Sequence, residues 1–241
     1  MCFHNALSRE ATDIENRFDA RFRDKTVFKP VYHGSGFSFM QWAVITMEKP
    51  EEISLFHWGL IPFWTKTGVD AKKIRQLTLN AQGETVFEKP SFKYSVVTKR
   101  CLVLSSGFFE WQHKGSYKYP FFIYPKDIPL MAMGGLYSEW SDKETGEVLN
   151  TFTIITTPAN GLMETIHNTK KRMPLIFKIE DEKKWLKPEL NKDDIIHLIK
   201  PLDDNLMTAH TVSRIISSPN AERNTPDIQN PYVYPELNSL F

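Results

Sequence analysis

The second residue of the chain is Cys2. Its small side chain favours removal of Met1, which would leave Cys2 with an α-amine and a thiol on one carbon skeleton. The amine titrates at about 7.7–8.0 and the thiol at about 8.5, so both have a reactive fraction near neutrality. An amine adds to an aldehyde to give a Schiff base. The neighbouring thiol can then close a five-membered thiazolidine ring on the same carbon, which no internal cysteine can do. The plain alternative is that the chain begins Met-Cys by chance, and Cys2 alone does not decide between them.

Three further segments carry groups able to do chemistry. Asn80, in Leu79-Asn80-Ala81-Gln82-Gly83-Glu84-Thr85, can orient a carbonyl through its amide or simply sit in a turn. Glu110, in Ser106-Gly107-Phe108-Phe109-Glu110-Trp111, lies among aromatics. Burial there raises a carboxyl pKa toward the range of general acid–base work. The alternative is an outward-facing Glu, since alternation puts Phe109 and Trp111 on the opposite face. His167 precedes the basic turn Thr169-Lys170-Lys171-Arg172. It can shuttle protons while Arg172 holds an anion, or be an ordinary surface histidine. Phe63 and Trp64, beside Pro62, precede Lys66, Lys72, Lys73 and Arg75. Aromatic faces for bases and cations for phosphates suit single-stranded nucleic acid; the alternative is that these aromatics are core.

The elements that must position these groups are mostly strands. Strand patterning runs through 27–46, 55–64, 100–111, 119–124, 130–140, 151–157 and 175–179, and 72–79 reads as a short basic strand-like segment. Residues 9–25, 180–186 and 193–199 read as helices, and 160–167 as a short helix or turn. Without βα alternation the pattern predicts an α+β fold. The expectation is a single domain over 1–241: a core to about 215 and a tail over about 217–241, rich in Asn and Pro, wrapping the surface. Of 241 residues 41% are hydrophobic and 13% aromatic, enough for a sizeable core. No run reaches the roughly 18 apolar residues of a membrane helix, and no basic-then-apolar leader is visible. Two cysteines, Cys2 and Cys101, exclude a disulfide framework and point to a reducing, cytoplasmic setting. No Cys/His spacing suits zinc, so neither metal nor cofactor is expected. Net charge is +1, so any nucleic-acid site must be a local patch.

Taken in order, Met1-Cys2, Trp58-Gly59-Leu60-Ile61-Pro62, Asn80-Ala81 with Glu84-Thr85, Gly107-Phe108-Phe109-Glu110-Trp111, and Ile166-His167-Asn168 leading to Arg172-Met173-Pro174 resemble the SRAP (SOS response-associated peptidase) family. The resemblance spans about residues 1–215. It implies mainly antiparallel sheets forming a barrel-like core with peripheral helices. It also implies a DNA-repair activity: covalent attachment to abasic sites in single-stranded DNA, with a thiol autopeptidase that removes the initiator methionine and a lyase activity. Carried over, Cys2 is the nucleophile and crosslinking residue, and Asn80 positions its amine and the sugar. Glu110 is the acid/base and His167 assists proton transfer. Phe63, Trp64, Gln82, Lys170, Lys171 and Arg172 contact DNA. The implied setting is a cytoplasmic monomer, nucleoid-associated on damaged DNA, with no membrane partner. Phe3 and His4 stand where the family commonly has Gly-Arg, and Gln82 where it has Arg, so phosphate contacts are lost. The turn before Arg172 is lengthened by Thr169, Lys170 and Lys171, whose lysines replace charge. The alternatives are a cysteine peptidase using Cys2, Glu110 and His167, or a single-strand-binding module without covalent chemistry.

Overall fold

Thirteen strands run through the computed structural model, which describes residues 2–238. They are β1 (His4–Leu7), β2 (Arg21–Phe22), β3 (Val31–Ser35), β4 (Gln41–Thr46), β5 (Lys49–Trp58), β6 (Asn80–Gln82), β7 (Arg100–Ser105), β8 (Gly107–Lys114), β9 (Tyr117–Pro125), β10 (Met131–Ser141), β11 (Val148–Pro158), β12 (Arg172–Pro174) and β13 (Met207–Thr211). The helices are short: α1 (Ala11–Phe18), α2 (Gly68–Leu77), α3 (Ser95–Thr98), α4 (Gly161–Ile166), α5 (Ile179–Trp185), α6 (Lys192–Leu198) and α7 (Pro235–Asn238).

The strands form two sheets. In the larger one β5–β4–β7–β10–β11 pair antiparallel in sequence, and β11 returns to β5 in parallel through Thr151↔His57 and Phe152↔Trp58. That last pairing closes a five-stranded barrel, with β2, β6 and β12 added at its margins. The smaller sheet has the order β13–β9–β8–β1–β3 and is wholly antiparallel. The fold is therefore α+β with a barrel core, as the resemblance implied. Aromatics fill the core. Trp42 and Trp58 are buried and donate their indole N–H groups to the carbonyls of Leu104 (2.7 Å) and Leu79 (2.8 Å), so that their burial leaves no orphan donor. Arg100 is fully buried with its guanidinium on the carbonyls of Trp185, Val96, Val97 and Lys187, a structural cation.

The break between β7 and β8 matters most for function. The chain leaves the barrel at Ser105 and enters the smaller sheet at Gly107. The Ser105 hydroxyl bridges this corner to Asn5 Oδ1 (2.6 Å), and Ser106 N–H donates to the Ala6 carbonyl (2.8 Å). A side chain at Gly107 would place its Cβ 2.4 Å from the Phe122 ring. The corner lays β8 along β1, with Phe109 opposite His4.

Several expectations are corrected. The helix expected over 9–25 is confined to α1, ended by Asp19 in the left-handed region at φ 53°. Residues 72–79 are mostly helix α2, not strand: Thr67 caps it by accepting from Asp70 N–H, which starts a helix in a sequence too short to show its period. The segment 100–111 is two strands in different sheets. In the region read as a strand over 175–179 the pairing moves upstream to β12, leaving one bridge between Met133 and Ile176. Among the described residues no helix is long and apolar enough to cross a membrane.

Candidate active site

Cys2 is held by the strand that follows it. β1 pairs with β8 on one side and β3 on the other, and Gly36 N–H donates to the Phe3 carbonyl at 2.8 Å. A chain terminus is ordinarily mobile unless tied into a sheet, and here it is tied on both sides. The Cys2 side chain is 2% exposed. Its thiol hydrogen-bonds the Glu110 carboxyl, and burial first, then Glu110, push its pKa well above the ordinary value. The thiol is therefore neutral at rest.

Asn80 comes from β6, which pairs in parallel with β11 at Ile154. Its Nδ2 donates to the Cys2 carbonyl at 3.1 Å. Its Oδ1 is buried and, among the described residues, has no hydrogen-bond partner, leaving an acceptor beside the Cys2 backbone. Glu110 is buried in β8, and desolvation lifts its pKa to about 7. His167 caps the C-terminus of α4. Its Nδ1 lies 2.8 Å from the Arg172 carbonyl, so Nδ1 carries the proton and Nε2 presents its lone pair. Nε2 is 3.7 Å from Glu110 Oε2. Burial lowers the His167 pKa to about 4, so the ring is neutral near pH 7. The four residues named from sequence thus meet at one place, drawn from the terminus, β6, β8 and α4.

Glu110 and His167 line an open cleft of about 580 Å³; Cys2, which contacts Glu110, is buried, and Asn80, bonded to the Cys2 carbonyl, is half-buried. Its other walls include Phe3, His4, Trp111, His113, Lys118, Lys170 and Arg223. Of the residues assigned to DNA, only Lys170 lines this cleft. Phe63 and Trp64 are exposed on the loop between β5 and α2, outside the cleft lining, with Phe63 packed on Tyr94 at 4.9 Å between ring centroids. Gln82 is exposed. Lys171 is exposed, in the left-handed region at φ 49°, and 3.8 Å from Glu164. Arg172 is committed inward: it makes a two-pronged ion pair with Glu84 and donates to the Thr156 carbonyl at 2.7 Å.

The sequence reading did not single out Lys118 or Arg223. Lys118 had one signal, the Gly115-Ser116 turn of the β8–β9 hairpin, which faces it with His113 across the pair. Arg223 lies in the tail and had no local signal. His4 and His33 were also missed as a pair. Their rings stack with Nδ1 of His4 3.0 Å from Nε2 of His33, and His4 meets Trp111 edge-on at 4.9 Å.

Among the described residues no group of three or more His, Cys, Asp or Glu side chains is arranged to hold a metal ion. The arrangement suits acid–base and nucleophilic chemistry: a protonatable carboxyl, a neutral imidazole and a thiol in contact, beside a cationic opening.

Comparison with known proteins identifies the family. The family model described as SOS response associated peptidase (SRAP) matches residues 1–219. The chain is 36% identical over 231 residues to "Abasic site processing protein YoqW" of Bacillus subtilis (strain 168), covering 95% of this chain and 98% of that one. It is 34% identical over 195 residues to "Abasic site processing protein HMCES" of Xenopus tropicalis, covering 73% of this chain and 56% of the other. A crystal structure of a protein from Bacteroides thetaiotaomicron superposes with a TM-score of 0.91 at 41% identity, covering 96% of this chain and all (100%) of that one. The chain therefore belongs to the SRAP family.

Proposed function

We propose that the chain handles abasic sites in single-stranded DNA by capturing them covalently through Cys2 after Met1 is removed. The observation that carries this reading is the contact of the Cys2 thiol with Glu110, itself beside His167. The names of the relatives above, which describe abasic site processing, support the choice of substrate.

The ring-closed abasic sugar must open to its aldehyde. Glu110, with a pKa of about 7, can donate a proton to the ring oxygen, and the neutral His167 can accept and return one. The α-amine then adds to the aldehyde carbon, and the resulting hydroxyl leaves as water once protonated by Glu110. The thiol adds to the imine carbon, its proton passing to the imine nitrogen. Two bonds to that carbon form, C–N and C–S, and one water is released in all. The product has no aldehyde, so β-elimination of the strand is suppressed. Asn80 Nδ2 fixes the Cys2 carbonyl while its unpartnered Oδ1 is an acceptor for the freed amine.

The thiol–Glu110 contact also supports self-removal of Met1, with Glu110 taking the thiol proton. Turnover on other polypeptides has less support, because the thiol is buried and held neutral.

The test uses chain verified by mass to lack Met1, incubated with an abasic single-stranded oligonucleotide. The expected product is a heat-stable adduct weighing the two components less one water. Cys2→Ala should bind the same DNA but form no heat-stable adduct. Such an adduct in Cys2→Ala would overturn the mechanism.

A further inference from the structure

We propose that Arg223, Lys118 and Lys170 form a phosphate-binding rim on the cleft, and that the C-terminal segment carrying Arg223 is the element that completes it. The inference rests on the nucleic-acid reading above and adds a binding element to it.

The three cations come from three separate elements: the C-terminal segment, the start of β9, and the turn after α4. All line one cleft, in which Glu110 is the only carboxylate among the lining residues. Among the described residues none of the three has a carboxylate within 4.0 Å, whereas Arg172 is paired with Glu84 and Lys171 lies near Glu164. The Arg223 guanidinium makes, among the described residues, one long hydrogen bond, Nη1 to the Ile216 carbonyl at 3.4 Å, which leaves most of its donors for a ligand. A planar guanidinium fork matches two oxygens of a phosphate.

The segment that presents Arg223 is built in. Asn224 Oδ1 accepts from the backbone N–H groups of Tyr32 (2.7 Å) and His33 (3.3 Å), closing the open edge of β3. Gln229 donates to the Tyr32 carbonyl at 2.8 Å, and Ile228 is buried. Just upstream of this segment, Ser217 accepts from the Trp111 indole at 2.9 Å and braces the aromatic wall beside Glu110. Of the three cations, Arg223 lies beyond residues 1–219 matched by the family model, and Lys118 and Lys170 lie within them. The ligand class is the phosphodiester backbone of a single strand, because three cations spread round an open cleft exceed what one small anion engages.

The test measures binding of an undamaged single-stranded oligonucleotide, which has no aldehyde to react, as a function of salt. Each phosphate contact contributes about −0.7 to the log–log slope. Arg223→Ala should flatten the slope by about that amount and weaken binding about fourfold at 0.15 M salt. Lys118→Ala and Lys170→Ala should do the same. Arg223→Lys should keep the slope, and Lys183→Ala, at an exposed lysine of α5 that does not line the cleft, should change nothing. The lysine variants keep the question open to test if Arg223→Ala folds poorly. Parental affinity and slope in folded Arg223→Ala, Lys118→Ala and Lys170→Ala would overturn the rim. The two readings fail separately. If the parent forms no adduct yet these variants lose affinity, the rim stands and the lesion chemistry falls. If the parent forms adduct and the variants bind unchanged, the rim falls and the chemistry stands.

Discussion

Glu110 is the residue on which the chemistry turns, because its role depends on being protonated at a pH where most carboxyls are not. Burial lifts its pKa to about 7, while the α-amine it must serve is unprotonated only above about 7.7–8.0. The two demands oppose each other, so the adduct rate should pass through a maximum midway, at about pH 7.4. Glu110→Gln can neither donate nor accept the proton. It should react roughly 100-fold more slowly near neutrality and lose the alkaline limb, its rate climbing to a plateau as the amine deprotonates. Rate–pH profiles of the two proteins decide this; superimposable curves would make Glu110 a structural residue only. The sequence left the direction of this side chain open, and the structure explains why. Phe109 and Glu110 are both buried although they face opposite ways, since β8 is covered on both sides, and alternation cannot then separate core from site. The types were more legible than the contacts. A second-position cysteine, a Glu among aromatics and a His before a basic turn were each readable, whereas the Arg172–Glu84 pair joins residues far apart in sequence and gives no local sign.

At the scale of elements, the corner between β7 and β8 sets where Glu110 falls relative to Cys2. It depends on the missing side chain of Gly107, where an added Cβ would meet the Phe122 ring at 2.4 Å and the Ile123 carbonyl oxygen at 2.8 Å. Backbone on one side and a buried ring on the other leave little room to yield. Gly107→Ala should therefore cost about 1–3 kcal/mol by denaturant unfolding and slow adduct formation as β8 shifts against β1. A variant with parental stability would show that the corner is slack. Most strands of six or more residues were readable from their apolar and β-branched runs, but β5 was not placed: it runs over Lys49–Trp58, and of the strand expected over 55–64 only 55–58 belongs to it. β1 was not, because four residues are too few for a period, and it becomes a strand only because β3 and β8 flank it. The closure of the barrel by β5 and β11 was likewise invisible, being a parallel pairing between distant segments. Helix α2 did carry a local sign, the Thr67–Asp70 spacing of an N-terminal cap, which its basic residues obscured.

Across the whole molecule the net charge is only +1, so what acts on a strand of DNA is where the charges sit, and at that place the segment around Arg223 meets β1 and β3. β1, β3 and the C-terminal segment converge on His4 and His33. Burial lowers His33 to about 3, with His4 and Arg223 adding, and lowers His4 to about 4, with Arg223 adding. His167 is lowered to about 4 by burial. In the unfolded chain all three titrate near 6.5, so the fold favours their neutral forms. That stabilisation is complete above about pH 6.5 and is lost as pH falls toward the folded values. Glu110 acts in the opposite sense: its raised pKa stabilises the fold below the unfolded value of about 4.3, and that contribution fades as pH rises through 7. Three depressed histidines outweigh one raised carboxyl, so thermal stability should decline between pH 6.5 and 4.5, before the carboxylates of ion pairs begin to protonate. Glu110→Gln removes the opposing contribution and should steepen the decline. His33→Gln removes the most depressed histidine, and with it the charge that His4 and Arg223 oppose, and should make the decline shallower. Melting temperatures of the three proteins over that window test the balance. Parallel curves would mean that the buried histidines find water or a counter-charge on protonation, and that the meeting of β1, β3 and the segment around Arg223 is not the acid-sensitive point of the molecule.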